Sequence, residues 1–339
     1  MAHPTKEFKT LHDQYRTLTE DRHLTKQKLT QADVEETLLN YGYFDIINGF
    51  ETLLLKDKKD KSKGFITNNF EDFISLYELD LLLKKEILYC VSKFELRLKN
   101  IVCYEFTQRY CNTLGTTLEY LNKSNYENPR TQYNLNRNSF VVKAYTKDKF
   151  DFFKNTHKLG YDKVTKQLIK GNYAEFCKGK YDYVSHYTTP PLWTVIKTLD
   201  LGALLLMIQY LKPPTMEDVL ARYNLSSTDA EMFISSIEII KSLRNSTAHF
   251  NLVNRFRTEG SIQINVNLIN RLNLSPMNQG YRIKLFDTLK VLGQYENIIG
   301  IKKVIINYYD KKKCIKNEHL AKILLERMGN KNIKDWKNL

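Results

Sequence analysis

The chain has 339 residues, room for two modules or one elaborated domain at about 150 residues per domain. Its 42% apolar content, with only 13 Gly and 7 Pro, excludes a collagen-like or wholly disordered chain and favours long helices over a many-stranded sandwich. Lys plus Arg exceed Asp plus Glu by 52 to 38, a net charge of +14 suited to nucleic acid or an anionic membrane, although AT-biased coding produces the same surplus.

In chain order, residues 1–30 read as a charged lead-in without the apolar core of a signal peptide. Thr30 precedes a helical segment carrying Val34, Leu38 and Leu39. The aromatic stretch Tyr41–Phe50 follows, broken by Gly42 and Gly49, and then the charged loop 56–63. From Thr67 apolar residues recur at threes and fours (Phe73, Leu76, Leu83, Ile87, Val91, Phe94, Leu98, Val102), and the absence of Pro and Gly from Asn68 to Cys111 predicts one or two unusually long helices. Residues 122–138 read as an Asn-rich loop, and a basic, helix-permissive region runs from Phe150 to Lys180. Pro190-Pro191 opens a helical run through Leu211, Thr215 offers a cap for Met216–Tyr223, and Ser227, Thr228 or Asp229 caps the helix after it. Residues 261–268 alternate strictly, the one good strand signal, and helical stretches near 281–298 and 317–328 close the chain.

This pattern divides the chain into an N-terminal helical extension (1–66), a helical domain (67–300) with an inserted loop region near 112–185, and a basic C-terminal helical segment (301–339). The five cysteines, Cys90, Cys103, Cys111, Cys177 and Cys314, form no C-x-x-C pair and no zinc-ligand spacing. No metal site and no cofactor is expected. The most apolar run, Leu201–Ile208, is too short to span a bilayer, so a cytoplasmic protein with no membrane partner is expected.

Chemistry concentrates in Ser242–Asn251. Asn245 and His249 stand four apart, so in a helix they share a face, with Arg244 at its margin. A fixed guanidinium, an amide and an imidazole form a kit for phosphoryl transfer: Arg binds the phosphate, His moves protons near pH 7, and Asn orients. Elsewhere, Glu95 and Lys99 share a helical face and most simply pair with each other. His157 and His319 lie near lysines and read as solvated, Trp193 reads as core, and Tyr181–Tyr187 with His186 reads first as surface or packing, with stacking on bases as the alternative. The stretches 56–63, 302–303 and 311–316 supply a candidate RNA footprint in Lys56, Lys58, Lys59, Lys61, Lys63, Lys302, Lys303, Lys311, Lys312 and Lys313.

The segment Leu243-Arg244-Asn245-Ser246-Thr247-Ala248-His249 resembles the R-N-x-x-A-H signature of HEPN ribonucleases. Around it the chain resembles the Abi-like (AbiD/AbiF) family of bacterial phage-resistance proteins. The landmarks are Tyr41-Gly42-Tyr43 with Asn48-Gly49-Phe50, then Phe73–Asp80 (F-x-x-L-Y-x-x-D), then Glu95 with Lys99, then Pro191–Gly202 (P-x-W-x-x-(I/V)-x-x-L-x-x-G), and finally Asn254-Arg255 after the motif. One departure is Phe250, where many relatives carry a second histidine.

The resemblance implies an all-α, HEPN-type helical bundle with an N-terminal helical extension and room for one small β-hairpin. It also implies a metal-independent endoribonuclease in which the 2′-OH attacks the adjacent phosphate, with Arg244, His249 and Asn245 catalytic and Glu95, Lys99, Asn254 and Arg255 supporting. The implied partners are RNA, as substrate or as a small structured non-coding RNA, and a second copy of the chain in a homodimer. The toxin-like defence role has two rivals: a non-catalytic or latent RNA-binding protein, and a protein-binding phage sensor.

Overall fold

A 41-residue helix, Phe70–Tyr110, forms the axis on which the other elements pack. At 1.5 Å per residue it is about 60 Å long. The structure is a computed structural model that describes residues 7–25, 28–134, 139–277 and 281–339. Parts of the lead-in (1–6, 26–27) and of the Asn-rich loop (135–138) lie outside the described residues. About 65% of the chain is helical, and the one sheet among the described residues is a two-stranded antiparallel hairpin, so the all-α class with one small hairpin holds.

The long helix exists because its apolar stripe is continuous. Phe73, Leu76, Leu83, Ile87, Val91, Phe94, Leu98 and Val102 are all buried on one side. Against that side pack the helices Ala230–Ala248, Ile299–Cys314 and Pro213–Ala221 and the short turn of helix Leu192–Val195. One hydrophobic core runs through all of them, from Leu18 to Trp336.

Several local expectations are corrected. Residues 261–264 form no strand, and a helix begins at Val266. Ile262 and Ile264 are buried as the alternation implies, but the hydroxyls of Ser242 and Ser235 accept from the backbone N–H of Glu259 and Asn265 (3.3 and 3.1 Å). The segment is thus held along the helix Ala230–Ala248 rather than in a ladder, and Asn265 caps the next helix. The hairpin lies instead at His157–Tyr161 and Leu168–Gly171, inside the region read as helix-permissive. Both of its faces are largely exposed, so no hydrophobic alternation announces it. Thr215 is not a cap. The helix starts at Pro213, whose missing N–H suits the first turn, and Thr215 is buried within it. The run from Pro191 breaks at Leu199, and Asp200 caps a new helix, Leu201–Tyr210.

Lys312 is also corrected. It lies on the inner face of the helix Ile299–Cys314, is buried, and donates to Asp72 Oδ1 at 2.8 Å. It cannot belong to a surface footprint. Asp72, near the start of the long helix, also accepts from Thr67 Oγ1 (2.6 Å) and Asn317 Nδ2 (3.1 Å), so this carboxylate ties three segments together. Breaking a buried pair by removing one partner strands the other charge. Lys312→Met is expected to lower the unfolding free energy by about 3 kcal/mol in urea titrations; a loss under about 1 kcal/mol would mean the pair is fully solvent-relaxed.

Candidate functional site

The motif helix, Ala230–Ala248, follows a capping box in which Ser226 and Asp229 exchange hydrogen bonds across a 3₁₀ turn, Ser227–Asp229. Its inner face is apolar, with Phe233, Ile237, Ile240 and Leu243 buried. Arg244 and Asn245 sit half-buried in its last turns, and Arg244 Nη1 donates to Asn245 Oδ1 at 3.2 Å. About two turns N-terminal to that pair, burial pushes the Glu238 carboxyl up in pKa while Lys241 opposes the shift.

His249 is the residue at which the helix ends. Its N–H still bonds Asn245 O (3.0 Å), which places it one turn beyond Asn245. The stop is a Schellman motif: Phe250 N–H bonds Thr247 O and Asn251 N–H bonds Ser246 O, both at 3.1 Å. That motif needs a left-handed residue, normally glycine, but here it is Phe250, at φ +56°. His249 and Phe250 are both exposed at the helix end, Phe250 at 76%. Among the described residues the imidazole has no hydrogen-bond partner.

Immediately after this exposed pair the chain is clamped. Asp80, on the long helix and 1% exposed, accepts from the backbone N–H of Val253 (3.2 Å) and Asn254 (3.0 Å) and from Asn254 Nδ2 (3.1 Å). Its second strong partner is the buried Lys84 ammonium, at 3.1 Å. Asn254 is therefore a buried positioning residue and not a surface contact. Arg255 reaches back to Asn48 O (2.5 Å) and Thr52 Oγ1 (3.4 Å), and burial lowers its pKa. Leu252 packs against Gly49, where a Cβ would lie 2.5 Å from Leu252 Cδ1. Asp80 and Lys84 are the positioning residues that spacing alone missed; the usable signal was the aspartate closing the Phe73–Asp80 landmark.

Glu95 and Lys99 pair with each other at 2.7 Å, and among the described residues no hydrogen bond or ion pair joins them to Arg244, Asn245 or His249. Of the surface lysines, Lys61 is held by Glu51 (2.7 Å), Lys63 by Asp57 (2.7 Å), and Lys302 by Leu339 O (2.7 Å). Lys56, Lys58, Lys59, Lys303, Lys311 and Lys313 are exposed. His157 is not solvated: it stacks on Phe176 and bonds Asp151 O at 3.0 Å. Trp193 is not core either. It is 52% exposed and lines a groove of about 470 Å³ with Tyr104 and Asn100 on the long helix. Among the described residues no group of three His, Cys, Asp or Glu side chains is placed to hold a metal, and no helix is long and apolar enough to cross a membrane. The described cysteines are free, with Cys90, Cys103, Cys111 and Cys177 buried and Cys314 exposed.

The structure thus defines a mostly helical protein in which an exposed histidine and phenylalanine stand where one helix ends against a buried carboxylate clamp. The chain belongs to the Abi-like protein family, whose family model matches residues 36–253, more than half of its length. Membership points to phage defence by abortive infection. No curated protein and no solved structure matches the chain significantly.

Two outcomes follow from this geometry. Phe250→Gly relieves the left-handed strain and should raise stability by about 1 kcal/mol, read as a higher midpoint in urea. Asp80→Ala strands Lys84 and two backbone N–H groups and should cost about 3–5 kcal/mol; an Asp80→Ala protein as stable as wild type would show that the clamp is dispensable.

Proposed function

We propose that the protein is an abortive-infection endoribonuclease of HEPN type, of the AbiD/AbiF group, in which Arg244, Asn245 and His249 form the reaction site. The observation that carries this reading is the helix end itself. Arg244 is held by Asn245 within the last turns, and His249 stands one turn further on with a solvent-exposed imidazole. In this reading a phosphodiester of RNA lies against Arg244, which binds the non-bridging oxygens and stabilises the charge that develops on them.

The 2′-OH attacks phosphorus and the bond to O5′ breaks, leaving a 2′,3′-cyclic phosphate and a 5′-OH. One proton must leave O2′ and another must reach O5′, and His249 is the group that moves a proton at this site without a metal. In-line displacement benefits from two such groups, and one chain carries one His249. A homodimer that joins two helix ends supplies both. The net charge of +14 and the exposed Lys56, Lys58, Lys59, Lys303, Lys311 and Lys313 suit an RNA larger than the reacting dinucleotide, such as a small structured non-coding RNA.

A second reading has an observation of its own. Among the described residues no partner orients the His249 ring, as expected of a site that grips RNA without cleaving it, or that waits for a trigger. Cleavage assays on wild type, His249→Ala and Arg244→Ala, paired with affinity measured across salt concentrations, separate the two. The nuclease reading expects His249→Ala to lose cleavage by at least about 100-fold while retaining binding, and Arg244→Ala to lose both. Cleavage that survives in His249→Ala would sink it, and equal loss of binding in the two variants would favour the grip.

A further inference from the structure

Beyond residue 253, where the family match stops, a second concentration of positive charge forms. Arg255 lies on the 3₁₀ turn Val253–Arg255 that follows the motif helix. Arg257 is bridged antiparallel to Lys284, and Arg327 lies in the last turn of the helix Glu318–Met328. Arg255 Nη2 and Arg327 Nη2 donate to the same hydroxyl, Thr52 Oγ1, at 3.4 and 2.6 Å, so these nitrogens lie within about 6 Å of each other. Arg257 Nη2 donates to Arg327 O at 3.2 Å and Lys284 Nζ to Glu326 O at 3.5 Å.

Capping carbonyls at a helix C-terminus explains Arg257 and Lys284 in part. It does not explain the whole cluster. Among the described residues none of the four cations has an ion pair, and Arg327 Nη1 is buried with no partner. Burial, reinforced by the fields of Arg255 and Arg257, pushes Arg327 down to about 10, and burial lowers Arg255, Arg257 and Lys284 as well. Three carboxylates act on the cluster through their fields: Glu51, engaged by Arg22 (3.3 Å) and Lys61 (2.7 Å); Asp80, engaged by Lys84 (3.1 Å); and Glu326, beside Lys284. Like charges gathered at a partly buried place with no ion pair of their own are costly, and an anion with several acceptor oxygens removes that cost. A tetrahedral oxyanion matches guanidinium forks arriving from separate segments better than a planar carboxylate does.

We propose that Arg255, Arg257 and Arg327 form a phosphate-binding site separate from the Arg244–His249 helix end, and that its occupant is a backbone phosphate of the bound RNA. The assignment to RNA rests on the functional reading above; the assignment to phosphate does not. Arg255 is six residues past His249, so a strand held here continues beyond the reacting position.

The test compares thermal unfolding of the full chain in inorganic phosphate and in chloride at matched ionic strength, for wild type, Arg327→Gln, Arg255→Gln and the exposed control Arg130→Gln. At low millimolar phosphate, where exclusion of the ion from the protein surface contributes little, wild type and Arg130→Gln should gain stability over chloride, because a ligand bound only by the folded state raises the midpoint. Arg327→Gln and Arg255→Gln should lose that gain. Equal midpoints in the two salts for wild type, or a gain retained by both cluster variants, would overturn the site. A second arm measures the affinity of a short single-stranded RNA. A loss of about tenfold in Arg327→Gln relative to Arg130→Gln identifies the backbone phosphodiester as the occupant. Unchanged RNA affinity with a lost phosphate response overturns the RNA assignment and leaves free phosphate. Should wild type bind no RNA at all, the nuclease reading falls, while the phosphate arm still judges the site by itself.

Discussion

The carboxylate of Asp80 is the interaction on which the functional end of the molecule depends. An ion with 1% exposure forfeits several kcal/mol of hydration unless its oxygens are fully occupied. Asp80 meets that condition with one ammonium, two backbone N–H groups and one amide, and three of those donors belong to Val253 and Asn254. The chain leaving the motif helix therefore has one path across the long helix. Leu252 seats against Gly49 and Arg255 bonds Asn48 on that same path, so three segments distant in sequence meet just beyond His249. Rigid support thus lies directly behind the groups left free, His249 and Phe250, which is the arrangement a reaction site on a helix end requires.

What was legible in the sequence follows from which forces act locally. The long helix was readable because burial along it is one-sided and uninterrupted for eleven turns, so period and breakers agree. The landmarks were readable too, but not their purpose: the Asp80 carboxylate and the Asn254 amide are 174 residues apart, and no local pattern says that they meet. The end of the motif helix misleads for a different reason. A left-handed stop predicts glycine or asparagine, and Phe250 occupies it only because the Asp80 clamp and the Schellman bonds fix the chain on both sides. Residues 261–264 alternate like a strand, yet two serine hydroxyls of the motif helix take the N–H groups flanking the segment. The exposed hairpin at 157–171 has no buried face to impose a period.

Charge was the least legible property, because counting cations does not reveal which are already spent. Lys312 neutralises Asp72 in the core, Lys61 and Lys63 neutralise their own loop and its neighbour, and Lys302 holds the chain terminus. A cluster of positive charge that makes no ion pair among the described residues lies where no lysine run marks it, at Arg255, Arg257 and Arg327, drawn from two separate stretches by a turn, a β-bridge and a helix end. Screening makes this distinction matter: exposed lysines act through a field that salt attenuates over about 8–10 Å, whereas a half-buried guanidinium keeps its directional bonds at physiological ionic strength. A polyanion would therefore be attracted by the lysines and positioned by the arginines.

The strain at Phe250 is tolerable because the Schellman bonds and the Asp80 clamp fix the chain on both sides of it. The residue costs about 1 kcal/mol in its left-handed conformation, and nothing in the core benefits from its ring, which faces solvent. Glycine at this position would make the same Schellman bonds without that cost. The ring must therefore be judged by what it offers outside the core: an exposed apolar surface next in sequence to His249, which in the proposed function serves an unpaired base. Stability favours glycine at residue 250, whereas base stacking, under the proposed function, favours phenylalanine.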